Sequence, residues 1–278
     1  MTNQATLNVD QINHHCRSQT RLRELVHEVL LFERVESTNK IALEMAASGV
    51  PEGIAILAES QTEGKGRQGR EWFSPSEKNI YLSLLLRPYL PIRDYPLFSL
   101  ATAAGVIDGI QENTGLKCGI KWPNDIIYED KKLGGILLET HISGGQAAAL
   151  VIGIGLNVNL DEKDFPDNFR TCPSSLKIAL GESVERTSLV MSLLDGVAEK
   201  ILTLQGEVEE KKNVLNAVRL YCRTLDRKVR IDTPKNIFEG WAEAIEENGA
   251  LRVRLGDQTR RSILLGDVTH LHDTHRDA

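Results

Sequence analysis

A loop rich in glycine and positive charge, at residues 61–70, constrains the fold more than any other segment. It reads QTEGKGRQGR and contains three glycines, three cations and no apolar residue. The apolar runs at residues 54–58 and 79–86 flank this loop, and each predicts a buried strand. Glycines let backbone N–H groups approach an anion closely, and cations attract it. The segment therefore predicts a strand–loop–strand unit that binds a phosphate or an acyl phosphate; a solvated basic loop is the alternative.

The loop also matches two nucleotide-binding motifs, but its context excludes both. Gly64, Gly66 and Gly69 have the spacing of the dinucleotide fingerprint, which a helix must follow directly. Pro75 and the strand after it leave no room for that helix. A Walker loop requires Ser or Thr after its Gly-Lys pair, whereas Gly66 follows Lys65. We therefore exclude a Rossmann domain and a P-loop.

Strand-like and helix-like segments alternate through the first half of the chain. Ser37, Thr38 and Asn39 are helix N-cap residues, and they begin a periodic apolar stretch that ends at Gly49. Strands are predicted at residues 30–35, 54–58, 79–86, 117–121, 125–128, 135–140 and 147–155. A core helix is predicted at residues 96–113, and residues 188–220 are expected to be mostly helical.

From about residue 225 the pattern changes to short strands. Asn248-Gly249 is a strong hairpin signal, and the run LRVRL at residues 251–255 alternates apolar and basic side chains. A chain of 278 residues is long enough for one large and one small domain. We place the large domain at residues 1–224 and a small β domain at residues 225–278. The histidines at positions 270, 272 and 275 are expected to lie in a flexible tail rather than a metal site.

Composition excludes several classes of function. The chain has 33 basic and 39 acidic residues, a net charge of −6, so it is not a uniformly basic nucleic-acid binder. No apolar run approaches the roughly 20 residues of a membrane span, and the N-terminal residues lack the apolar core of a signal peptide. The four cysteines lie far apart without a Cys-x-x-Cys pair, so we expect buried, inert thiols and a cytoplasmic location.

Further motifs place polar side chains or glycines at strand ends. KWPND at residues 121–125 interrupts a strand, because its proline cannot donate to a sheet ladder. Asn124 can bind a base edge, and Asp125 can hold Mg²⁺ or orient an amine; a polar loop over a core tryptophan is the alternative. DKKLGG at residues 130–135 predicts a tight turn with a lysine just before the next strand, and on its own it indicates only a hairpin. GIGLN at residues 153–157 puts glycines in a buried strand, where either a ligand comes close or a bulge forms.

Together these motifs resemble the biotin–protein ligases. ESTN at residues 36–39, GKGRQGR at 64–70, KWPND at 121–125, KLGG at 132–135 and GIGLN at 153–157 follow that family's order and rough spacing. Each motif alone is weak or moderate, but five in order are highly specific. The resemblance covers about residues 26–160, and the C-terminal β segment fits it as well.

The resemblance implies a fold. It predicts an α+β catalytic domain of the class II aminoacyl-tRNA-synthetase type, in which helices flank a mixed β-sheet. A small C-terminal SH3-like β-barrel would follow. The chain resembles the short form of the family, which has no DNA-binding domain.

The resemblance also implies two half-reactions. Biotin and ATP, with Mg²⁺, would give biotinyl-5′-AMP and pyrophosphate, and biotin would then pass to one lysine of a biotin carboxyl carrier domain. A carboxylate is a poor electrophile and needs activation, and fixed cations are needed to hold two anions together. Acetyl-CoA carboxylase is the usual partner. We expect no DNA or membrane partner and no tightly bound prosthetic group, while a homodimer stays open.

Site residues follow from the matched motifs. Those that would bind biotin are Ser37, Thr38, Gln61, Gly64, Lys65, Arg67, Trp72, Lys132, Gly135, Gly153 and Gly155. Those that would bind ATP or the adenylate are Lys65, Arg67, Arg70, Lys121, Asn124 and Asn157. The catalytic set would be Arg67, Lys132 and Asp125, and Asp125 is also the candidate Mg²⁺ ligand. Lys65 departs from the family, where arginine is common, so the bidentate fork of a guanidinium is lost.

Three other functions are alternatives. A repressor would need an N-terminal winged helix-turn-helix, and only 36 residues, with one amphipathic helix, precede Ser37, so operator binding is not expected. Lipoate ligases share the catalytic fold, but GKGRQGR and KWPND together favour biotin. A non-catalytic biotin sensor would not need Arg67, Asp125 and Lys132 together.

Overall fold

A mixed β-sheet lies at the centre of the molecule. The computed structural model describes residues 6–88, 90–167 and 172–271. Seven of the described strands form this sheet in the order β1-β2-β3-β7-β6-β5-β4. They are β1 (Glu28–Val35), β2 (Ile54–Gln61), β3 (Ile80–Leu86), β4 (Gly119–Lys121), β5 (Asp125–Tyr128), β6 (Lys131–Ser143) and β7 (Gln146–Leu156). Strands β1 and β2 are parallel, and the other neighbouring pairs are antiparallel.

Helices pack on both faces of this sheet, which confirms the predicted α+β class. They are α1 (Val9–Ser18), α2 (Leu22–Leu25), α3 (Thr38–Ala47), α4 (Tyr95–Thr114), α5 (Leu176–Leu180), α6 (Arg186–Gln205) and α7 (Val208–Tyr221). Side chains alternate along β2 because successive residues of a strand point to opposite faces. Leu57 joins the large buried cluster that includes α4 and α6, whereas Ile56 joins the smaller cluster that includes α3.

Helices α4 and α6 approach each other closely through small residues. A Cβ atom on Gly105 would lie 2.5 Å from the carbonyl oxygen of Gly196, so no larger residue fits this backbone. Helix α4 begins next to Pro96 and ends at Gly115, which has a φ of 76°. These are the signals of a helix start and a helix end, and they match the helix predicted at residues 96–113.

The C-terminal residues form a second, antiparallel sheet. Its five described strands have the order β11-β10-β9-β8-β12. They are β8 (Lys228–Asp232), β9 (Ile237–Ile245), β10 (Leu251–Arg254), β11 (Arg260–Ile263) and β12 (Asp267–His270). The Asn248-Gly249 turn joins β9 to β10, as predicted, and Gly249 has a φ of 83°. Strands β11 and β12 are the edges of this sheet. The closed SH3-like barrel and the domain boundary after residue 224 stay predictions.

Trp122, the tryptophan of the KWPND motif, joins the two sheets. Its side chain is 2% exposed, and its indole N–H donates to the carbonyl of Gly249 at 3.0 Å. Its backbone N–H donates to the hydroxyl of Thr224, also at 3.0 Å. Val229 and Ile231 of β8 belong to the same buried cluster as the helices of the central sheet. One continuous core therefore supports both sheets.

Three expectations need refinement. The helical region at residues 188–220 is two helices, separated at Gly206. The N-terminal region at residues 9–29 holds two helices before β1 rather than one. Cys172 is exposed, although we expected buried thiols, whereas burial raises the pKa of Cys118 to about 12. No helix among the described residues is long and apolar enough to cross a membrane.

Candidate active site

A cavity of about 230 Å³ lies where the predicted motifs meet. The start of α3, the end of β2, the glycine-rich loop and strands β6 and β7 surround it, and β12 of the C-terminal sheet closes one side. Fourteen predicted site residues line it: Ser37, Thr38, Gln61, Lys65, Arg67, Arg70, Trp72, Lys121, Asn124, Asp125, Lys132, Gly135, Gly153 and Gly155. Segments far apart in sequence thus contribute to one site.

The inner end of the cavity is lined by uncharged hydrogen-bonding side chains. The backbone N–H and the hydroxyl of Thr38 donate to the side-chain oxygen of Gln61 at 2.9 Å and 3.2 Å. The Ser83 hydroxyl lies 2.7 Å from the Thr38 hydroxyl and 2.6 Å from the side-chain oxygen of Asn39. Asn39 in turn donates at 2.8 Å to the carboxylate of Glu139, which is not among the described residues that line the cavity. Such a network holds its polar groups in fixed positions and suits a polar but uncharged ligand group.

The outer end of the cavity is charged. The Lys132 ammonium lies 2.6 Å from the Asp125 carboxylate and 5.4 Å from the centre of the Trp72 ring. The backbone of Lys132 is fixed as well, because its N–H donates to Cys172 and its carbonyl accepts from Ser174, both at 2.8 Å. This lysine is therefore held in place while its charge faces the cavity.

The cations of the glycine-rich loop extend this charged region. Arg67 donates to the side-chain oxygen of Asn124 at 3.0 Å, so the loop is bonded to the KWPND motif. Burial lowers the pKa of Arg67, and the carboxylates of Asp267 and Asp125 oppose that shift. Gln68 has a φ of 58°, which lets the loop turn sharply. A guanidinium that is half-buried at a cavity wall is a strong anion-binding group.

Two strand glycines give the cavity its shape. A Cβ atom on Gly153 would lie 2.3 Å from the side-chain oxygen of Asn39, and one on Gly155 would lie 2.6 Å from the Trp72 ring. On Gly135 the nearest atoms would be 3.5 Å away, which is ordinary contact. We expected neighbouring atoms to leave no room for a Cβ atom at these three glycines. This is so at Gly153 and Gly155, whereas a Cβ atom would fit at Gly135.

The indole of Trp72 leaves one hydrogen-bond donor available at this wall. Its Nε1 atom is buried and has no partner among the described residues. Buried donors without a partner cost free energy, so they are rare outside sites that bind a ligand or water.

Gly64 and Asn157 are not among the described residues that line the cavity. Gly64 is a buried residue of the glycine-rich loop, and a Cβ atom on it would lie 2.4 Å from the Trp72 carbonyl. Asn157 is 6% exposed and donates to the Ser174 carbonyl at 3.0 Å. This hydrogen bond joins Asn157 to Ser174, whose backbone N–H donates to the carbonyl of Lys132.

Comparison with known proteins gives the family. Residues 31–157 match the biotin/lipoate A/B protein ligase family, and residues 224–271 match the biotin protein ligase C-terminal domain. A biotin–[acetyl-CoA-carboxylase] ligase of Mycobacterium tuberculosis is 31% identical over 242 residues, which is 84% of this chain and 86% of that protein. The chain belongs to the biotin protein ligase family.

Two further members of the family show how far the likeness extends. The bifunctional ligase/repressor BirA of Bacillus subtilis is 39% identical over 170 residues, which is 61% of this chain. The match spans 51% of that relative, so the chain covers about half the length of this ligase/repressor. The biotin protein ligase of Aquifex aeolicus, solved with biotin and ATP, has the same fold: the TM-score is 0.74, with 24% identity over 88% of this chain and 99% of that one.

Some residues that line the cavity are not among the predicted site residues. Asn39 stands inside the ESTN motif, where the sequence predicts only a helix N-cap residue. Tyr81 lies on β3, where the apolar pattern of the strand conceals it. Asp267 lies about two hundred residues from the loop that it contacts, so only the fold brings the two together. His270 lies in β12 rather than in a flexible tail, while His272 and His275 are outside the described residues.

Proposed function

We propose that the protein is an ATP-dependent biotin–protein ligase that makes biotinyl-5′-AMP and transfers biotin to a lysine of a carrier domain. One observation carries the proposal: a single cavity has an uncharged hydrogen-bonding inner end and, at its outer end, Lys132 and Arg67. Biotin has a polar uncharged ring system, an apolar tail and a carboxylate. The order of these groups along the ligand matches the order of the groups along the cavity.

The proposed biotin contacts follow this order. Ser37, Thr38 and Gln61 bind the ureido group, because their polar atoms surround the inner end. The indole face of Trp72 packs along the tail, and its free N–H has an acceptor when the ligand is present. Lys132 receives the carboxylate. An incoming carboxylate competes with Asp125 for this ammonium, which lies between the two.

The first chemical step forms the mixed anhydride. A carboxylate oxygen of biotin attacks the α-phosphorus of ATP, the bond to the bridging oxygen breaks, and pyrophosphate leaves. Negative charge builds up on the phosphate oxygens during this step, and Lys65, Arg67 and Arg70 stabilise it. Lys121 and Asn124 line the same side of the cavity and contact the nucleotide. The contact between Asn157 and adenine stays a prediction.

The second step transfers biotin. The neutral amine of a carrier lysine attacks the acyl carbon, AMP leaves, and the amine loses a proton. Asp125 is the carboxylate that lies beside Lys132, and it orients the amine or accepts the proton. Because a relative over most of this chain is named for acetyl-CoA carboxylase, we propose the carrier domain of that enzyme as the partner.

Mg²⁺ fits the residues at the cavity as a companion of ATP. No group of three or more candidate ligands (His, Cys, Asp or Glu) occurs in the described part of the chain. Mg²⁺ commonly binds through one or two carboxylates together with substrate phosphates, so a full protein cage is not needed. Asp125 is the residue that would hold it, and the ion would neutralise phosphate charge.

The remaining features of the proposal concern the whole chain. We propose that residues 225–278 form a domain of the SH3-like type after a catalytic domain at residues 1–224, and that the enzyme works in the cytoplasm. Whether it acts as a monomer or a homodimer is a question for sedimentation of the purified protein.

The test is biotin-dependent exchange of labelled pyrophosphate into ATP, with lipoate as a parallel substrate. We expect exchange with biotin and none with lipoate. Lys132→Met should abolish exchange, because the variant keeps most of the side-chain volume but loses the charge at the carboxylate. Lys235→Met, at an exposed lysine between β8 and β9, is the matched control and should exchange like the unchanged protein.

Other results would assign a different function. Exchange with lipoate alone would make the protein a lipoate ligase. Biotin binding without exchange would make it a sensor and would overturn the mechanism. If exchange succeeds, transfer of label to a purified carrier domain tests the second step.

A further inference from the structure

One acidic side chain of the C-terminal sheet reaches into the cavity. Asp267 is the first residue of β12, and it lines the cavity together with Val268 and Thr269. One carboxylate oxygen, Oδ2, forms an ion pair with Nη2 of Arg70. The other oxygen, Oδ1, accepts from Nη1 of the same arginine at 3.4 Å. The same carboxylate lies 3.9 Å from Arg67.

The backbone next to Asp267 contacts the loop as well. Arg67 donates to the carbonyl of Gly266 at 3.4 Å, and on its other side it donates to Asn124 at 3.0 Å. The loop cations are therefore held at three places, by the KWPND motif, by a backbone carbonyl and by a carboxylate. Two of these three belong to the C-terminal residues.

Partial burial makes these contacts stronger than ordinary surface ion pairs. The side chain of Asp267 is 17% exposed and that of Arg67 is 20% exposed, whereas Arg70 is 43% exposed. Exposed pairs contribute little because water screens them, but a shielded carboxylate between two guanidinium groups restricts both.

We propose that Asp267 is a positioning residue that holds Arg67 and Arg70 over the cavity before ATP binds. This inference rests on the proposed function, in which both arginines act on phosphate. Ordering a flexible loop costs free energy on binding, and a contact that orders the loop beforehand removes that cost. The C-terminal sheet then contributes to catalysis through Asp267 without touching the reacting atoms.

A carboxylate at a phosphate site also repels phosphate. The balance of charge in the cavity therefore decides whether Asp267 strengthens or weakens ATP binding. Among the described residues that line the cavity, five are cations: Lys65, Arg67, Arg70, Lys121 and Lys132. Three are carboxylates: Glu71, Asp125 and Asp267. The cavity stays net positive, so ordering of the two arginines outweighs repulsion by one carboxylate.

The experiment measures pyrophosphate exchange at varied ATP concentration for Asp267→Asn and Asp267→Glu. For Asp267→Asn we expect the KM for ATP to rise about tenfold, the loss typical of a charge-assisted contact, while kcat changes less. Asp267→Glu keeps the charge and should recover most of the lost affinity. Asp232→Asn is the matched control, because Asp232 lies opposite Asp267 on β8 and should leave the KM unchanged.

A second measurement needs no ligand and no activity. Trypsin cleavage after Lys65 and Arg67, followed by mass spectrometry, reports how tightly the loop is held. We expect Asp267→Asn to be cleaved several-fold faster there than Asp232→Asn. If Asp267→Asn does not fold, Arg70→Gln breaks the same pair from the other side and should show the same faster cleavage.

Two kinetic results would overturn the proposal. A lower KM for ATP in Asp267→Asn would mean that the carboxylate competes with phosphate instead of positioning the arginines. A KM and a cleavage rate equal to those of Asp232→Asn would mean that the contact has no effect. If the unchanged protein shows no exchange, the proposed function fails, and loop cleavage alone then decides whether Asp267 holds the loop.

Discussion

At the scale of single residues, Lys65 differs from the other cations of the glycine-rich loop. It is exposed at the cavity, and its backbone pairs with that of Glu71. Arg67 and Arg70 each bond to a neighbouring acceptor through a guanidinium, whereas an ammonium offers a point charge without a fork. Replacing Lys65 with arginine therefore changes the geometry of anion binding while the charge stays the same.

Lys65→Arg should slow the release of biotinyl-5′-AMP. A guanidinium can form two parallel bonds with a phosphate or carboxylate, and one additional bond of this kind is worth about a fivefold slower dissociation. The measurement is a chase of labelled adenylate from the purified complex. Lys235→Arg, the same change at an exposed position outside the cavity, should leave the rate unchanged. Equal rates for Lys65→Arg and the unchanged protein would contradict this role of Lys65.

Sequence reasoning found most cavity residues but not all of them, and the reason is physical. Asp125 belongs to the KWPND motif, which interrupts a strand, and its polar side chain at a strand end leaves a local signal. Lys132 belongs to the KLGG motif, which the sequence predicts as a turn, whereas the structure places it near the start of β6. Asp267 has no such signal, because a single carboxylate in a short strand is ordinary. Its role depends on β12 lying beside the loop, which only tertiary packing determines.

At the scale of elements, strand β7 sets the width of the cavity. Gly155 faces Trp72, and the indole occupies the space that a side chain on β7 would need. Gly155 pairs with Tyr81 of β3 and with Gly135 of β6, so the strand cannot move aside without disturbing both neighbours. A larger residue here must displace the tryptophan.

Gly155→Ala should therefore weaken biotin binding. The new Cβ atom lies 2.6 Å from the indole, so Trp72 must shift toward the cavity. Forcing an extra methyl into a packed site costs about 1–3 kcal/mol of stability, and we expect the KM for biotin to rise about tenfold. Gly256→Ala serves as the control, because no atom lies within 4 Å of its Cβ position. An unchanged KM for biotin would show that Trp72 does not pack on this ligand.

Helices and strands are predicted best where one hydrophobic period runs through the whole segment. Helix α4 was found within one residue at each end, because a proline marks its start and a glycine follows its end. The prediction that residues 188–220 are mostly helical is confirmed, but the sequence does not locate the break between α6 and α7 at Gly206, since a single glycine within a helical pattern does not by itself end a helix. At that point a capping box of Glu207 and Glu210 begins the new helix.

At the scale of the whole molecule, the two sheets meet around a buried histidine. The His270 side chain is 8% exposed, and its ring contacts the Thr224 hydroxyl at 3.1 Å and Arg227 at 3.2 Å. Asp130, in the turn between β5 and β6 of the central sheet, lies 3.5 Å from the ring and accepts from Arg227 at 3.0 Å. Burial, together with the charges of Lys121 and Arg227, lowers the pKa of His270 to about 4, against the smaller opposing effect of Asp130.

This histidine makes the stability of the folded protein depend on pH. In the unfolded chain His270 takes up a proton near pH 6.5, whereas in the folded chain it stays neutral down to about pH 4. The unfolded state therefore binds more protons between these values, and stability falls as the pH drops through this window. The loss reaches about 3 kcal/mol at most, since each unit of pKa shift corresponds to about 1.4 kcal/mol.

Urea unfolding at pH 7 and at pH 4.5 measures this contribution, with His270→Gln as the comparison. Glutamine keeps a hydrogen-bonding side chain but does not titrate, so the variant should be less stable at pH 7 and lose less stability on acidification. Carboxylates elsewhere titrate in both proteins, and the difference between the two losses therefore isolates the histidine. Equal losses of stability in the two proteins would mean that the junction between the sheets tolerates a charged histidine.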